Sequence, residues 1–365
     1  MGRKRWLLIG AIILTSAAQA YEIRVRRPFV KKADVHETIT ALAEECLKTP
    51  SAAAPSGCWH RNADLAGRSR SRGNESYGPL QVAVRWPDDP TRQDRKASFL
   101  KIGYNLFRGC KKLAAGSRVI EEIGLLCSSH YGKLQFFHAQ AVDEDKSPAD
   151  TRRRILAWAD LAFRIATDAR LEDGSRLLDA NYCRFIETEP AALSEVMRCK
   201  SPSIYDDWNV STFFALTCAS PWVSYRCPTP GEAAEEDRLA ILSAKGALLH
   251  LVQDSFSQSH ASRSIGSPIP PNGPQGGFVS KVVCAYPTAY FNYREQKSKA
   301  HGKADRPPVR DSSCDDDPRT PAPDDPQTDD VITASAMILW HLENGSPESF
   351  ERYLVDRVFG PEPTA

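Results

Sequence analysis

The chain has 365 residues, of which 41% are hydrophobic and 25% are charged; this is enough for a large core and excludes a mainly disordered protein. Lysine and arginine total 47 against 46 acidic residues, a formal charge of +1. This balance excludes a strong overall electrostatic attraction to nucleic acid or anionic lipid. An anionic substrate must therefore be bound by a local group of side chains.

Residues 1–20 have the pattern of a secretory signal peptide. A basic start precedes an apolar run of about ten residues, and Ala18-Gln19-Ala20 matches a small-x-small cleavage site. The run is too short to favour a membrane span, although an uncleaved anchor is the competing interpretation. We expect a secreted or periplasmic mature protein that begins at Tyr21 and has no transmembrane segment.

Helical periodicity dominates the chain and predicts an all-α fold. Apolar residues recur every three to four positions in five long segments. Only "LQVAVRW", residues 80–86, alternates in the manner of a β-strand. The helical segments are residues 33–47, 150–171, 235–256, 331–345 and 349–360.

Irregular stretches separate these helices without dividing the chain into two domains. They cover residues 50–80, 200–232 and 264–280. Because the candidate ligands described below lie on both sides of each stretch, one domain elaborated by insertions is favoured, over residues 21–305. Residues 306–330 form an acidic, proline-rich linker that we expect to be solvated. Residues 331–365 are expected to form an interrupted C-terminal helix that packs on the same domain.

Ten cysteines in an exported chain predict disulfides. No C-x-x-C spacing occurs, which argues against zinc or redox ligands. The connectivity is open; close pairs such as Cys183 with Cys199 and Cys218 with Cys227 would close short loops, but closeness in sequence does not establish a pairing. The full set is Cys46, Cys58, Cys110, Cys127, Cys183, Cys199, Cys218, Cys227, Cys284 and Cys314.

The strongest chemical signal is "HLVQDSFSQSH", residues 250–260. His250 and Asp254 are four residues apart, so on a helix they differ by only about 40° and can reach one ion. His260 would point about 240° away from Asp254 on an unbroken helix, so it should serve a different ion. The spacing predicts a metal site, and a multinuclear one, because a carboxylate can bridge two cations.

Other histidines and aspartates could complete this site. Taken singly, each has an ordinary structural interpretation, as a core histidine, a turn or a solvated helix pair. Imidazole with carboxylate and no thiolate favours zinc in a hydrolytic site. The remaining histidines, His60, His130 and His341, are assigned structural roles. The additional candidate ligands are His36, Asp88 or Asp89, His138, His301 and Asp305.

In its order of histidines and aspartates, this set resembles the superfamily of zinc-dependent bacterial phospholipases C and single-strand-specific fungal and plant nucleases. The resemblance extends over residues 21–305. It implies a multi-helix bundle of the zinc-dependent phospholipase C type, with long loop insertions and disulfides, that holds three zinc ions.

The resemblance also implies how the ligands are shared among the zinc ions. The second ion would be bound by His260, His301 and Asp305. The third would be bound by His36, by Asp254 as a bridging ligand, and by the amino group and carbonyl of Tyr21. The first would be bound by Asp88, His138, His250 and Asp254.

Two features depart from the family pattern. Ser257-Gln258-Ser259 stands where the family usually has Gln-Pro, and 50 residues separate Asp88 from His138 in place of a short interval. Asp89 is therefore an alternative to Asp88 as the ligand. In the family, the residue that matches Asp88 is also thought to orient the attacking water.

The resemblance implies a zinc-dependent hydrolase of phosphoric diesters. A phospholipase C-like activity is favoured, with phospholipid as substrate and transient contact with a membrane surface, because the charge is near neutral and no basic-aromatic run occurs. The alternative is a single-strand-specific nuclease that acts on single-stranded nucleic acid. A third interpretation is a non-catalytic exported metal-binding protein. A serine hydrolase is disfavoured because no G-x-S-x-G occurs.

Overall fold

Helices provide nearly all the regular structure of the residues described below, so the predicted all-α class is confirmed. The structure is a computed structural model. It describes residues 35–48, 54–55, 58, 77–88, 125–145, 147–200, 206–215, 233–257, 259–263, 281–282, 286–293, 309–310 and 329–361.

Ten α-helices are described. They are α1 (Val35–Leu47), α2 (Pro79–Ala83), α3 (Leu125–Tyr131), α4 (Pro148–Ala166), α5 (Tyr182–Thr188), α6 (Ala191–Met197), α7 (Val210–Ala215), α8 (Ala233–Asp254), α9 (Val331–Asn344) and α10 (Pro347–Tyr353). Short 3-10 turns cover Gln135–His138 and Leu177–Asp179, and a π-helical turn at Leu354–Phe359 follows α10.

The described strands are two residues long and form two small sheets. In one sheet, β1 (Ala261–Ser262) pairs antiparallel with β3 (Ala289–Tyr290). In the other, β2 (Lys281–Val282) pairs parallel with β4 (Val309–Arg310). The second sheet places two residues of the predicted linker 306–330 beside another segment, and most of that linker lies outside the described residues.

Helix α8 is the central element of the fold. It packs against α4, α7, α2, α9 and α1. From Gly246 to its end at Asp254, every residue of the helix is buried. Small side chains at Ala240, Ala244 and Ala247 are fully buried and allow neighbouring helices to approach closely. The end of α8 therefore lies deep inside the protein.

A stack of aromatic rings joins four elements beside α8. The rings of Phe137 and Trp158 are 3.8 Å apart between centroids, and those of Trp86 and Phe214 are 5.3 Å apart. The indole nitrogen of Trp86 also donates to the carbonyl of Phe214, at 2.9 Å. Burial of such large rings is among the strongest contributions to a core. Because Trp86 precedes Asp88 by two residues and Phe137 adjoins His138, this stack also fixes two candidate ligands.

The predicted strand at residues 80–86 is wrong. The segment forms α2 and then a turn that ends at Asp88. Pro79 occupies the first turn of the helix, where its missing N–H costs nothing. The backbone N–H groups of Val84 and Trp86 donate to the carbonyls of Leu80 and Ala83, at 2.9 and 2.8 Å. Local hydrogen bonds therefore outweigh the weak two-residue alternation.

The C-terminal segment forms a helix interrupted once. Asp330 caps α9 by accepting hydrogen bonds from the backbone N–H groups of Ile332 and Thr333, at 2.8 and 2.9 Å. Gly345 follows α9, and Ser346 caps the next helix, α10. Helix α9 packs on α1 and α8, so the end of the chain covers the central helix.

Two disulfides are described, between Cys46 and Cys58 and between Cys183 and Cys199. The second joins one of the close pairs named from the sequence; the other close pair, Cys218 with Cys227, lies outside the described residues. Cys127 is also disulfide-bonded, and none of the cysteines in the described part of the chain is free. Within the same residues, none of the helices combines the length and apolar composition needed to cross a membrane.

Gly246 allows the closest contact between α8 and α2. A Cβ atom added at this position would lie 2.1 Å from the carbonyl oxygen of Ala83 and 2.8 Å from the nitrogen of Val84. Both neighbours are backbone atoms, so the clash can be relieved only if α2 and its following turn move. The glycine is therefore required by packing.

We predict that Gly246→Ala destabilises the protein by about 2 kcal/mol, as overpacking typically does. In an open helix, the same change would stabilise by up to about 1 kcal/mol. Chemical unfolding measures the difference, with Lys245→Ala, a partly exposed neighbour on α8, as the matched control. An unchanged or increased stability for Gly246→Ala would contradict this account of the α2–α8 contact.

Candidate metal centre

Seven buried side chains meet around the C-terminal end of α8. Five of the eight histidines in the sequence are among them. They come from α1, the turn after α2, α3, the 3-10 turn that follows it, α8, and the loop after α8. The seven residues are His36, Asp88, His130, His138, His250, Asp254 and His260.

The end of α8 brings three of these side chains together. His250 Nε2 lies 3.0 Å from Asp254 Oδ2, as their four-residue spacing predicts. The helix ends at Asp254, and two turns follow, in which Ser257 N donates to Asp254 O and His260 N donates to Ser257 O. His260 Nδ1 consequently lies 3.6 Å from Asp254 Oδ2. The helix ends before His260, so the direction expected on an unbroken helix does not apply, and that His260 serves a different ion stays a prediction.

The carboxylate of Asp254 lies at the middle of the group. Its Oδ2 is 2.9 Å from His138 Nδ1 and 3.0 Å from His250 Nε2. Its Oδ1 is 3.3 Å from His36 Nε2. The two oxygens of one carboxylate therefore face different imidazoles.

Asp88 has a similar position on another side of the group. Its Oδ2 is 3.9 Å from His250 Nε2, while its Oδ1 is 4.0 Å from His138 Nδ1 and 3.2 Å from His130 Nε2. Asp88 Oδ2 is buried and makes no hydrogen bond within the described residues. Asp89, the alternative candidate, lies outside those residues.

Backbone and side-chain acceptors orient three of the imidazoles. His250 Nδ1 lies 2.8 Å from the carbonyl oxygen of Val84, and His260 Nδ1 contacts the carbonyl oxygen of His138. His36 Nδ1 lies 2.7 Å from Gln253 Oε1. A proton on each Nδ1 leaves the Nε2 lone pair available, which is the tautomer that metal-binding histidines commonly adopt.

Gln253 is itself held in place by hydrogen bonds to two further helices. Its Nε2 donates to Thr40 Oγ1 on α1 and Ser335 Oγ on α9, at 3.1 and 3.4 Å. All of these groups are buried. The orientation of His36 therefore depends on the packing of α1, α8 and α9 together.

Several separations between these atoms are close to those in a tetrahedral metal site. Ligand atoms at a zinc distance of about 2.0–2.1 Å lie roughly 3.4 Å from one another. The pairs that involve His138, His250, Asp88 and Asp254 are separated by 2.9 to 4.0 Å. His138 Nε2 and Asp88 Oδ2 are buried without a hydrogen bond in the described residues. Buried histidine and aspartate groups in this arrangement could hold a metal ion.

The protonation states also suit metal binding. Burial would raise the pKa of Asp88, but the neighbouring His250 and the hydrogen bond from His130 lower that pKa to about 2. The pKa of Asp254 is likewise held well below its usual value, because His250 and His260 outweigh the effect of burial. Burial lowers the pKa of His260 to about 4, despite the opposing charge of Asp254. At neutral pH both carboxylates are ionised and His260 is neutral.

The remaining predicted ligands lie outside the described residues. These are Tyr21, His301 and Asp305, and His60 lies outside as well. His341 lies apart from the seven residues of the candidate metal centre, beside Ser349. His130, to which the sequence assigned a structural role, is within the centre. Its position eight residues before His138 was the only signal, and that spacing alone does not indicate a shared site.

Comparison with known proteins does not identify a family. No protein-family model matches the sequence, and no similar characterised protein or solved structure was found.

We predict that His260 in the chelated, metal-free protein titrates near pH 4. Because the folded-state pKa is below the usual value, the unfolded chain binds the additional proton between about pH 4 and 6.5. The free energy of unfolding should therefore fall by up to about 1.4 kcal/mol per pH unit as the pH decreases through this interval. NMR of the ring proton, assigned with His260→Gln, measures the midpoint. A midpoint above pH 6 would contradict the predicted environment.

We also predict that Gln253→Ala weakens metal binding by about 10–100-fold, because His36 loses the acceptor that orients its ring. Gln253→Glu retains an oxygen for His36 Nδ1 and should recover part of the affinity. Competition with a chromophoric chelator measures both variants. Equal affinities for Gln253→Ala and the wild type would show that this hydrogen bond does not organise the site.

Proposed function

We propose that the protein is an exported, zinc-dependent hydrolase of phosphoric diesters with a multinuclear metal centre. The observation that carries the proposal is the position of Asp254, whose two oxygens face His36 on one side and His138 with His250 on the other. A buried carboxylate between imidazoles is suited to hold two cations together. The order of ligands in the sequence, which resembles zinc-dependent phospholipases C and single-strand-specific nucleases, supports the same reaction class.

Most of the side chains at the site would act as zinc ligands. His36, Asp88, His138, His250, Asp254 and His260 would hold zinc, joined by Tyr21, His301 and Asp305 from outside the described residues. Bound zinc supplies Lewis acidity and a lowered pKa for water next to the phosphate.

Asp88 has a second role, towards the attacking water. Its Oδ2 makes no hydrogen bond in the described residues and can accept one from that water. A pKa of about 2 makes Asp88 a weak base, so it orients the water more than it removes its proton. Water attacks phosphorus, the bond from phosphorus to the leaving oxygen breaks, and that oxygen takes up a proton.

Phospholipid is the favoured substrate class. A single-strand nuclease requires exposed aromatic rings on which bases stack. Among the aromatic residues near the ligands in the sequence, Trp86, Phe136, Phe137, Tyr290 and Tyr293 are at most 9% exposed, and Phe291 is partly exposed. The five buried rings belong to the core, which supports the phospholipase C-like activity over the nuclease. Transient contact with a membrane surface would then accompany catalysis.

The disulfides support export, since such bonds persist in oxidising compartments.

A non-catalytic exported metal-binding protein is the other candidate. Its support is that all seven residues of the centre are buried, as in a structural metal site. The two candidates differ in whether the loaded protein cleaves phosphodiesters.

We predict that the purified mature protein contains about three zinc ions and releases phosphocholine from phosphatidylcholine vesicles. Asp254→Asn should lower kcat/KM by more than about 100-fold, because the change affects two cations at once. His341→Ala, outside the centre, is the control and should retain zinc and activity.

The same preparations are assayed on single-stranded DNA, with chelator and after zinc is restored. Release of nucleotides in place of phosphocholine would support the nuclease. Full zinc occupancy with no cleavage of either substrate, or of a generic phosphodiester, would reject the enzyme and leave the metal-binding protein. Absence of zinc after purification without chelator would reject both the zinc-dependent enzyme and the metal-binding protein.

A further inference from the structure

His130 has the contacts of a metal ligand although it lies outside the set that the resemblance implies. It is on α3 and 2% exposed. Its Nε2 lies 3.2 Å from Asp88 Oδ1, and its ring centroid lies 4.6 Å from that of His138. His130, Asp88 and His138 each offer an atom within 4.8 Å of the other two. This group shares Asp88 with the group around His250.

We propose that His130 binds a metal ion through Nε2 and that Asp88 is therefore a second bridging carboxylate. Asp88 Oδ1 faces His130 and His138, while Oδ2 faces His250. The arrangement repeats that of Asp254, whose two oxygens also face different imidazoles. The inference rests on the metal centre of the proposed function and adds a cation position on the Oδ1 side of Asp88.

The orientation of the His130 ring supports binding through Nε2. Its Nδ1 lies 3.1 Å from Ser129 Oγ. In the metal-bound state, Nδ1–H would donate to this hydroxyl, and Nε2 would present its lone pair on the side of Asp88. The ring of Tyr293 meets that of His130 edge to face, with centroids 5.8 Å apart, and limits its rotation. The imidazole is thus held in one orientation before metal binds.

A simpler role is that His130 only donates a hydrogen bond to Asp88 and positions it. Removal of a positioning residue also weakens metal binding, by about 10–100-fold, so affinity alone does not separate the two roles. Direct evidence of a bond between the metal and the imidazole does separate them. His130→Gln is the informative variant, because glutamine can still donate to Asp88 but is a poor ligand.

The test uses the mature protein stripped of metal and reloaded with ¹¹³Cd alone. Proton–cadmium correlation NMR identifies each histidine ring that is bonded to the metal, and elemental analysis gives the number of ions per chain. We expect a correlation from the ring protons of His130, its loss in His130→Gln, and about one fewer ion in that variant. His341→Gln, a histidine outside the centre, should match the wild type.

The inference is wrong if His250 shows a correlation with cadmium and His130 shows none, or if His130→Gln keeps the full number of ions. Failure of the proposed metal centre has a different result, because then no histidine correlates with cadmium. Failure of the proposed reaction has no effect on this experiment, which does not measure activity.

Discussion

The structure depends on one buried carboxylate. Asp254 is fully buried at the end of the central helix, and an ion in that position is stable only if opposite charge or hydrogen-bond donors surround it. The surrounding groups are imidazoles from three other segments of the chain, at His36, His138 and His260, and from α8 itself. Each segment must therefore reach the end of α8 for the carboxylate to be tolerated. A bound divalent cation would neutralise the charge more completely than imidazole can.

The rest of the fold holds those segments in place. The aromatic stack fixes the turn that carries Asp88 and the turn that carries His138. The contact at Gly246 holds α2 against α8, and the carbonyl of Val84 in the same turn orients His250. A buried ion pair between Glu37 and Arg85 joins α1 to this turn, next to His36 and close to Asp88. Core packing and the geometry of the candidate ligands are therefore coupled. A substitution that shifts the core is expected to shift these side chains as well.

Much of this arrangement could be predicted from the sequence, where local rules apply. The helices around residues 35–47, 148–166, 233–254 and 331–344 follow from apolar periodicity, and the pairing of His250 with Asp254 follows from their four-residue spacing. Predictions failed where tertiary contacts decide the outcome. The segment 80–86, predicted as a strand, forms a helix and a turn, because its backbone groups hydrogen-bond locally and it packs against Gly246. The position of His260 near Asp254 depends on where the helix ends, which the spacing of the residues alone does not give.

His130 illustrates the limit most clearly. Nothing in its immediate sequence distinguishes it from His341, yet one lies beside Asp88 and the other lies beside Ser349. The difference depends on how α3 packs against the turn after α2, which joins residues 42 positions apart. Such long-range placement has no signal in periodicity or spacing.

The most direct test of the central claim is anomalous X-ray diffraction from crystals of the mature protein, with data collected on either side of the zinc absorption edge. The account predicts at least two anomalous peaks at the end of α8, one bonded to His250 and one to His36, with Asp254 coordinated to both. Crystals grown with zinc and without chelator that show no peak within bonding distance of Asp254 would contradict it, and the seven residues would then be a hydrogen-bonded network.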